Sequence, residues 1–404
     1  MENHLHDLMV DSRIEYVDLP AAKMIRKKGL SYLVAGENHD YFTKEAVVLN
    51  SSEVDQYIDR SNALYRMMMT TAQFVADQNL WELAGIPKNA VDLVRYSLQY
   101  ERPLHLLGRF DFAGGVDGSS IAMLEFNADT CSLLPETAHV LVDQTAKLRK
   151  KKKFQIFNNL IFQLTQSFQA ILRAYPDRIP NLLLSYLGNE EDYLNLEVIA
   201  EAARQAGFQE VNIMLLEKVV FSEEEGIFLQ LGPESYTKYD FFFKMFPWDF
   251  AAYEEPELMD LLSKIVMNKQ AIVLNPAFTM LLQSKGLLKF LYDQFPNEKS
   301  VLQTSFDPSV FRYGRYVEKP FYGRTGDNVK IHGGLSTPLA QNGGDYGHFP
   351  MVYQAFAKLD QDSEKDYYQP SMFWSGEACA LCFRRQEDMI VDDDAEYLAH
   401  LIER

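Results

Sequence analysis

The chain has 404 residues, of which 47% are hydrophobic and 24% charged, and its formal net charge is −18. This length and composition are typical of a globular protein whose large core is divided into two or three subdomains. The acidic charge argues against nucleic acid as a partner, because neutralising phosphates requires clustered lysines and arginines.

Targeting signals and disulfides are not expected. No stretch approaches the roughly 18 to 20 uninterrupted apolar residues that a membrane span requires, and residues 1–7 lack the basic and apolar regions of a signal peptide. The three cysteines form no disulfide framework, and Cys379 and Cys382 should face opposite sides of a strand, which disfavours a shared metal. We therefore expect a cytoplasmic protein without a membrane partner, acting on small molecules.

A β-hairpin is predicted from two short extended runs, residues 106–113 and 121–127, in which polar and apolar side chains alternate. The segment between them is rich in residues that hairpin turns favour. These turn residues are Gly114, Gly115, Asp117 and Gly118.

The polar face of this hairpin predicts a metal site. Antiparallel pairing can bring Asp111, Glu125 and Asn127 together, and Met123 is expected on the same face as the last two. The three polar side chains offer only hard oxygen ligands, which favours Mg²⁺ over Zn²⁺. Arg109 beside them would suit a metal-bound polyphosphate. The alternative is an ordinary exposed hairpin with a solvated polar face.

From residue 181 the pattern changes to strand, helix, strand. The runs 182–186, 196–206 and 211–216 predict a βαβ unit whose helix ends at Gly207. No G-x-G-x-x-G follows the first strand, so a dinucleotide-binding Rossmann site is not indicated.

Two lysines and a glycine-rich loop follow. Ser284 is predicted to cap a helix that carries Lys285, and Lys319 ends a strand before the loop 321–328, which should bury little apolar area. Such a loop with a neighbouring lysine can close over phosphates, although no Walker-type motif is present. Residues 349–356 are predicted to form a strand and a connector where an adenine could bond to the backbone.

Four stretches together resemble the synthetase domain of the glutathionylspermidine synthetase/amidase family, which belongs to the ATP-grasp ligases. They are Arg109-Phe-Asp-Phe with Glu125-Phe-Asn-Ala-Asp-Thr130, Ser284-Lys-Gly-Leu-Leu288, Lys319-Pro-Phe-Tyr-Gly-Arg-Thr-Gly-Asp-Asn328, and Ser375-Gly-Glu-Ala with Arg384. The match spans nearly the whole chain. Ordinary ATP-grasp sequences present the lysines before the metal carboxylates, and the reverse order here looks like a permuted ATP-grasp fold.

The resemblance implies a mixed α/β (α+β) architecture in which residues 1–404 form one ATP-grasp catalytic unit. Within it, residues 181–250 would form a pre-ATP-grasp-like βαβ subdomain on the substrate side, and residues 260–360 would form the ATP lid. Bifunctional members carry an amidase domain in front of the synthetase. This chain has no room for one, so hydrolysis by that route is not expected.

The resemblance also implies roles for the residues of this chain that match the family's site residues. The resemblance implies that two Mg²⁺ ions are held by Asp111, Glu125 and Asn127, and that Arg109 faces the transferred phosphate. ATP contacts are implied for Lys285, Lys319, Gly323, Gly326, Asn328, Gln354, Ala355 and Phe356. Substrate contacts are implied for Asp129, Thr130, Ser132 and Arg384, the last facing the carboxylate.

Departures from the family pattern concern the acid substrate. Cys131 replaces a proline, Leu133 replaces a serine, and Asp249 stands where the family commonly has glutamate. Losing a hydroxyl from a site built to bond it can change acceptance of a small molecule by roughly 10²-fold or more. We therefore expect an acid that differs from glutathione where it meets Leu133.

The predicted function is an ATP- and Mg-dependent carboxylate–amine ligase. It would join a small peptide-like acid, glutathione or an analogue, to an amine such as a polyamine through an acyl phosphate. One alternative is a catalytically inactive ATP-binding sensor or scaffold, which would not need every metal and phosphate position filled as it is here. Another is a small-molecule kinase or phosphatase, which would differ only in the acceptor.

Overall fold

A computed structural model describes residues 10–34, 41–116, 119–151, 153–334 and 338–403. The predicted turn residues Asp117 and Gly118 and the N-terminal residues 1–7 lie outside these ranges.

The described chain contains both strands and helices. The strands are β1 Ile14–Tyr16, β2 Phe42–Leu49, β3 Gly108–Ala113, β4 Ala122–Asn127, β5 Phe154–Gln155, β6 Asn181–Tyr186, β7 Glu210–Leu215, β8 Val219–Ser222, β9 Gly226–Gly232, β10 Ser235–Tyr239, β11 Phe241–Lys244, β12 Ile272–Leu274, β13 Thr304–Ser305, β14 Arg315–Pro320, β15 Lys330–Gly333, β16 Pro338–Gln341, β17 Met351–Ala355, β18 Asp360–Gln361, β19 Tyr367–Ser375, β20 Glu377–Gln386 and β21 Glu396–Glu403. The α-helices are α1 Ala22–Lys27, α2 Ser51–Asp77, α3 Val91–Tyr100, α4 Leu141–Gln144, α5 Ala146–Lys150, α6 Leu160–Ala174, α7 Glu190–Ala206, α8 Trp248–Tyr253, α9 Pro256–Met267, α10 Thr279–Gln283 and α11 Leu287–Gln294. A π-helical turn spans Glu136–Val140. The mixed α/β architecture is as predicted.

The predicted hairpin lies at one edge of a central sheet with the order β1-β2-β21-β20-β19-β3-β4. Strands β2 and β21 are parallel, and the other neighbours on this path are antiparallel. Because β3 is bonded to both β19 and β4, the strand that carries Asp111 is held on both sides.

Helices cover both faces of this sheet. Helix α2 begins at a capping box formed by Asn50 and Glu53, and its apolar stripe, including Leu64 and Met68, belongs to the same buried core as Phe110. Helix α6 packs on the other face, against β19 and β20. The hairpin therefore stands on a sheet that is packed from both sides.

A second sheet, with the order β12-β11-β6-β7, is parallel throughout. The predicted βαβ unit is its β6, α7 and β7, with Gly207 ending the helix at φ 112°. Helix α7 begins earlier than predicted, because Asn189 caps it by accepting a hydrogen bond from the Glu191 N–H. Strands β6 and β11 are almost wholly buried, as parallel strands usually are.

The parallel sheet includes one strand that lies beyond the range 181–250. Strand β12 follows residue 250, and the crossover that connects β11 to it contains α8 and α9. Parallel neighbours require such a crossover. The antiparallel sheet β13-β17-β14-β15-β16 starts at Thr304, within the range 260–360.

The remaining small sheet, β10-β9-β8, is antiparallel. In the ranges that the structure describes, no helix is both long enough and apolar enough to cross a bilayer.

Candidate active site

The pairing register of the hairpin brings its polar side chains together. Arg109 lies opposite Asn127, and Asp111 lies opposite Glu125. The Asn127 Nδ2 atom is 3.1 Å from Asp111 Oδ2 and 3.3 Å from Glu125 Oε1. The two carboxylates and the amide therefore form one cluster, as the spacing predicted.

A β-bulge after Asp111 corrects the expected position of Met123. Phe112 pairs with Met123, which leaves Leu124 as the extra residue. Met123 is buried in the core, whereas Leu124 lines a cavity. The bulge also directs the carbonyl oxygen of Leu124 at Lys319, whose Nζ donates a hydrogen bond to it at 3.1 Å. Met123 is thus not part of the polar face.

Asp111 is completely buried and accepts several hydrogen bonds. Arg109 donates from Nε to Oδ1 at 2.8 Å and from Nη2 to Oδ2 at 3.0 Å. Ser371 donates to Oδ1 at 2.7 Å, and Arg384 Nη2 lies 3.5 Å from Oδ2. Burial alone would lower the pKa of Arg109, but the charge of Asp111 outweighs it and raises the pKa. Arg109 is therefore a permanent cation held in a fixed orientation.

Lys285 links Glu125 to the glycine-rich loop. Its Nζ lies 3.1 Å from Glu125 Oε2 and donates to the carbonyl oxygen of Gly323 at 3.0 Å. Burial favours a higher pKa for Glu125, but the charges of Lys285 and Lys319 outweigh that effect, so its pKa is lowered. Glu125 is consequently an anion at neutral pH.

The two lysines reach the cluster from different elements. The predicted helix does not carry Lys285, because Ser284 accepts a hydrogen bond from the Gly286 N–H and α11 begins only after it. Lys319 lies on β14 as predicted, and its Nζ donates to Gln354 Oε1 at 2.7 Å. Burial lowers the pKa of Lys319 to about 8.

The donor chemistry of the hairpin fits Mg²⁺. The candidate ligands are Asp111, Glu125 and the amide of Asn127. In the described ranges, no group of three or more His, Cys, Asp or Glu side chains is placed to hold a metal. Mg²⁺ is commonly held by one or two carboxylates together with substrate phosphates and water. Rotating the Asn127 amide by half a turn exchanges its nitrogen for its oxygen between the two carboxylates. A magnesium–nucleotide complex is therefore compatible with this cluster.

A cavity of about 710 Å³ lies where the hairpin, the parallel sheet and the antiparallel sheet meet. It collects most of the predicted site residues from segments that are far apart in the sequence. Those that line it are Arg109, Glu125, Asn127, Thr130, Ser132, Lys285, Lys319, Gly323, Gly326, Gln354, Ala355, Phe356 and Arg384.

The end of this cavity that adjoins the antiparallel sheet is walled by apolar side chains. Val317, Ile331 and Leu359 line it together with Ala355 and Phe356. The N–H groups of Ala355 and Phe356 already donate to the carbonyl oxygens of residues 303 and 315, at 2.7 Å and 3.2 Å. Neither of these two N–H groups is therefore free to bond a bound base.

The glycine-rich loop is more firmly packed than predicted. Phe321 and Tyr322 are buried in the main core, which corrects the expectation of little buried apolar area. Asn328 does not face the cavity as an ATP contact would. Its Oδ1 accepts a hydrogen bond from the Tyr346 N–H at 2.8 Å, and its own N–H donates to the Gly343 carbonyl oxygen at 2.9 Å. Asn328 thus shapes the loop.

Asp129, predicted as a substrate contact, is instead a buried structural anion. Its Oδ1 accepts a hydrogen bond from Lys244 Nζ at 2.6 Å, and its Oδ2 accepts one from the Trp248 N–H at 2.7 Å. Thr279 donates to Oδ1 at 3.2 Å. The side chain points away from the cavity because the end of β11 and the start of α8 enclose it, which the sequence pattern could not reveal.

The neighbouring segment does line the cavity, at Thr130, Ser132 and Leu133. Arg109 Nη1 donates to the carbonyl oxygen of Ser132 at 3.1 Å, which fixes the segment to the hairpin. Arg384 lies nearby, with Nη2 donating to Gln369 Oε1 at 2.6 Å. Its Nε is buried and has no hydrogen-bond partner in the described part of the chain.

A cluster of acidic side chains lines the cavity near Thr130, Ser132 and Arg384, and it was not predicted from the sequence. Glu136, on the π-helical turn, accepts a hydrogen bond from the Tyr41 hydroxyl at 2.9 Å, while its Oε2 has no partner among the described residues. Burial raises the pKa of Glu136 to about 7 and that of Asp192 to about 6, and it raises those of Glu191 and Asp393. These residues come from three separate segments, so no local pattern could have joined them.

Comparison with known proteins gives one family match. The sequence model described as glutathionylspermidine synthase pre-ATP-grasp matches residues 16–403. In overall fold, the chain is similar to a glutathione synthetase-like effector from Globodera pallida, with a TM-score of 0.55, 9% identity and 88% of each chain covered.

Several curated relatives are similar in sequence. A putative acid–amine ligase from Haemophilus influenzae is 25% identical over 90% of this chain and 91% of its own length. The bifunctional glutathionylspermidine synthetase/amidase of Escherichia coli is 24% identical over 86% of this chain but only 58% of its own length. Trypanothione synthetase from Crithidia fasciculata is 23% identical over 74% of this chain and 47% of its own. The chain therefore spans about half the length of the last two relatives.

Proposed function

The chain belongs to the glutathionylspermidine synthase pre-ATP-grasp family, as its sequence motifs predicted, and on that premise we propose that it is an ATP- and Mg-dependent carboxylate–amine ligase with a permuted ATP-grasp site. The relatives named above are ligases, which supports amide formation as the reaction class. One observation carries the proposal. A single cavity is lined by Glu125 and Asn127 of the hairpin, by two lysines and an arginine beside them, and by a separate acidic end. Asp111 is fully buried next to Asn127, at 3.1 Å from its amide nitrogen.

The cationic groups account for phosphate transfer. Lys285, Lys319 and Arg109 would hold the phosphates of ATP, and Mg²⁺ on Asp111, Glu125 and Asn127 would supply charge neutralisation when bound. Arg384, which lines the cavity, would hold the substrate carboxylate. A carboxylate oxygen of the acid then attacks the γ-phosphorus of ATP, and the bond from that phosphorus to the β,γ-bridging oxygen breaks. ADP departs, and the acid is now an acyl phosphate.

The acidic end accounts for the second step. An amine that carries more than one positive charge, such as a polyamine, would be attracted by Glu136, Glu191, Asp192 and Asp393. Its neutral nitrogen attacks the acyl carbon, and the phosphate leaves as the amide forms. Glutathione or a related small peptide is the class of acid that the named relatives indicate.

The decisive experiment offers the purified protein Mg-ATP with a matrix of small peptides and amines, and measures ADP release and product mass. We expect ADP release that requires both an acid and an amine. Glu125→Gln should lower it by at least 100-fold, because the anion that would ligate the metal is lost, whereas the exposed Glu234→Gln serves as a matched control and should retain wild-type turnover.

The alternatives give different results in the same assay. Nucleotide binding without turnover in any combination would favour a sensor or scaffold. ADP release with a phosphorylated product and no requirement for an amine would favour a kinase. Normal turnover by Glu125→Gln would exclude the hairpin as the metal site.

A further inference from the structure

The start of helix α8 connects the metal hairpin to the glycine-rich loop. The Trp248 N–H donates to Asp129 Oδ2 at 2.7 Å, and Asp129 follows the end of β4 closely in the chain. Lys244 Nζ donates to the other oxygen of Asp129 and lies 4.6 Å from the centre of the Trp248 ring. The position of α8 is therefore set by the strand that carries the metal ligands.

The next residue of this helix, Asp249, forms an ion pair with Arg324 of the glycine-rich loop. Both of its carboxylate oxygens lie 3.0 Å from Arg324 Nη2. Arg324 Nη1 donates to the Tyr346 hydroxyl at 2.8 Å. Asp249 is only 5% exposed, so its ion pair with Arg324 is shielded from water and screened much less than a surface pair. Two of the three guanidinium nitrogens are thus fixed at the wall of the cavity.

The loop backbone is held on either side of Arg324. Lys285 Nζ bonds to the carbonyl oxygen of Gly323 at 3.0 Å. Gly326 has φ +75°, and an added Cβ would lie 2.9 Å from Ile390 Cγ2 and 3.0 Å from the carbonyl oxygen of Val391. The backbone therefore passes close to residues 390–391 only because residue 326 is glycine. The loop is fixed at both ends, and Asp249 decides where the Arg324 side chain points between them.

We propose that Asp249 is a positioning residue, which holds Arg324 of the loop at the cavity wall in the orientation that meets the anionic substrates. Arg324 is long and flexible, and in water it would lose that orientation to rotamer freedom. A carboxylate at position 249, fixed through Asp129 to the metal hairpin, removes that freedom before any ligand binds. The consequence for turnover rests on the ligase function proposed above, but the structural role does not.

The test uses the full chain and trypsin, which cleaves after arginine only when the side chain can enter the protease. Asp249→Asn should increase cleavage after Arg324 by at least tenfold, measured by fragment mass over time. Asp249→Glu restores the carboxylate and should return cleavage to within threefold of wild type. Glu255→Gln, an exposed carboxylate close by in the sequence, is the matched control and should cleave at the wild-type rate.

Steady-state kinetics distinguish a loss of Arg324 orientation from a loss of folded protein. With the best acid and amine found in the matrix, Asp249→Asn should lose at least tenfold in kcat/KM, and Asp249→Glu should recover it to within threefold. Thermal unfolding midpoints of all variants report the fold. If Asp249→Asn fails to fold, Arg324→Lys replaces it, because lysine keeps a trypsin site but makes fewer bonds to the carboxylate.

Two results would overturn the proposal. One is a folded Asp249→Asn or Arg324→Lys variant that is cleaved no faster at residue 324 than wild type. The other is a loss of kcat/KM in Asp249→Asn that is not recovered in Asp249→Glu. Absence of turnover by the wild-type protein with every substrate pair would count against the ligase function alone, since the cleavage arm does not depend on it.

Discussion

Leu133 lies in the cavity wall, and its backbone conformation affects which substrate the cavity accepts. Its φ is +71°, a left-handed conformation that costs a leucine roughly 1 to 2 kcal/mol. The segment keeps that conformation because Leu134 donates its N–H to Asn195 Oδ1 at 3.0 Å and Ser132 accepts from Arg109. The leucine side chain is buried in the core and also lines the cavity, so it presents an apolar surface to the ligand.

The substitution Leu133→Ser should improve glutathione-dependent ADP release. An apolar group cannot pair with a polar substrate atom, and each 1.4 kcal/mol recovered corresponds to about tenfold in kcat/KM. Steady-state kinetics with glutathione and spermidine measure the effect. Leu133→Ala is the control that opens space without adding a hydroxyl. An equal gain from alanine, or robust glutathione ligation by the unmodified protein, would contradict the interpretation.

At the scale of elements, the parallel sheet and the hairpin are joined through one amide. Asn275, directly after β12, accepts hydrogen bonds at Oδ1 from the N–H groups of Leu106 and Leu107, at 2.7 Å and 3.2 Å. Its Nδ2 donates to the carbonyl oxygens of Leu107 and Asp129, at 2.9 Å and 2.8 Å. Asn275 therefore fixes both ends of the hairpin to the parallel sheet.

Asn275→Ala should lower the free energy of unfolding by about 3 kcal/mol, because buried backbone groups lose their partners and each costs about 1 to 3 kcal/mol, not fully additively. Urea unfolding measures the change. The exposed Asn297→Ala is the control, and a shift within about 0.5 kcal/mol is expected for it. A similarly small shift for Asn275→Ala would show that the link is dispensable.

For the whole molecule, the pH dependence of stability is a balance between buried groups of opposite sign. Burial lowers the pKa of His400 to about 3 and that of His105 to about 4. The unfolded chain then binds protons below pH 6.5 that the folded chain excludes, so stability falls as the pH falls. Burial raises the pKa of Glu101 and of Glu136 to about 7, and their contributions to stability rise as the pH falls.

Replacing His400 should reveal how much this residue contributes to the pH dependence of stability. His400 Nε2 accepts a hydrogen bond from the Phe157 N–H at 2.9 Å, and the side-chain oxygen of glutamine can do the same in His400→Gln. The stability of wild type relative to this variant should fall by about 1.4 kcal/mol for each pH unit between 6 and 4. Urea unfolding at several pH values measures this difference. Asn297→Ala, with no titrating group, should run parallel to wild type, and a constant difference for His400→Gln would refute the prediction.

The sequence by itself determined the features that depend on near neighbours along the chain. Strand alternation and turn residues are local, so the hairpin, its cluster of Asp111, Glu125 and Asn127, and the βαβ unit could be predicted. Four motifs together indicated the family, and each could be recognised because its residues lie in short stretches of the sequence.

Only the tertiary structure decided the features that depend on how the sheets pack. Whether Asp129 faces a ligand or a buried lysine is set by β11 and α8, more than a hundred residues away in the chain. The bulge at Leu124 follows from burying Met123 in the core. The acidic end of the cavity brings Glu136, Glu191 and Asp393 together from separate segments. Burial and convergence are properties of the packed sheets, and no local pattern encodes them.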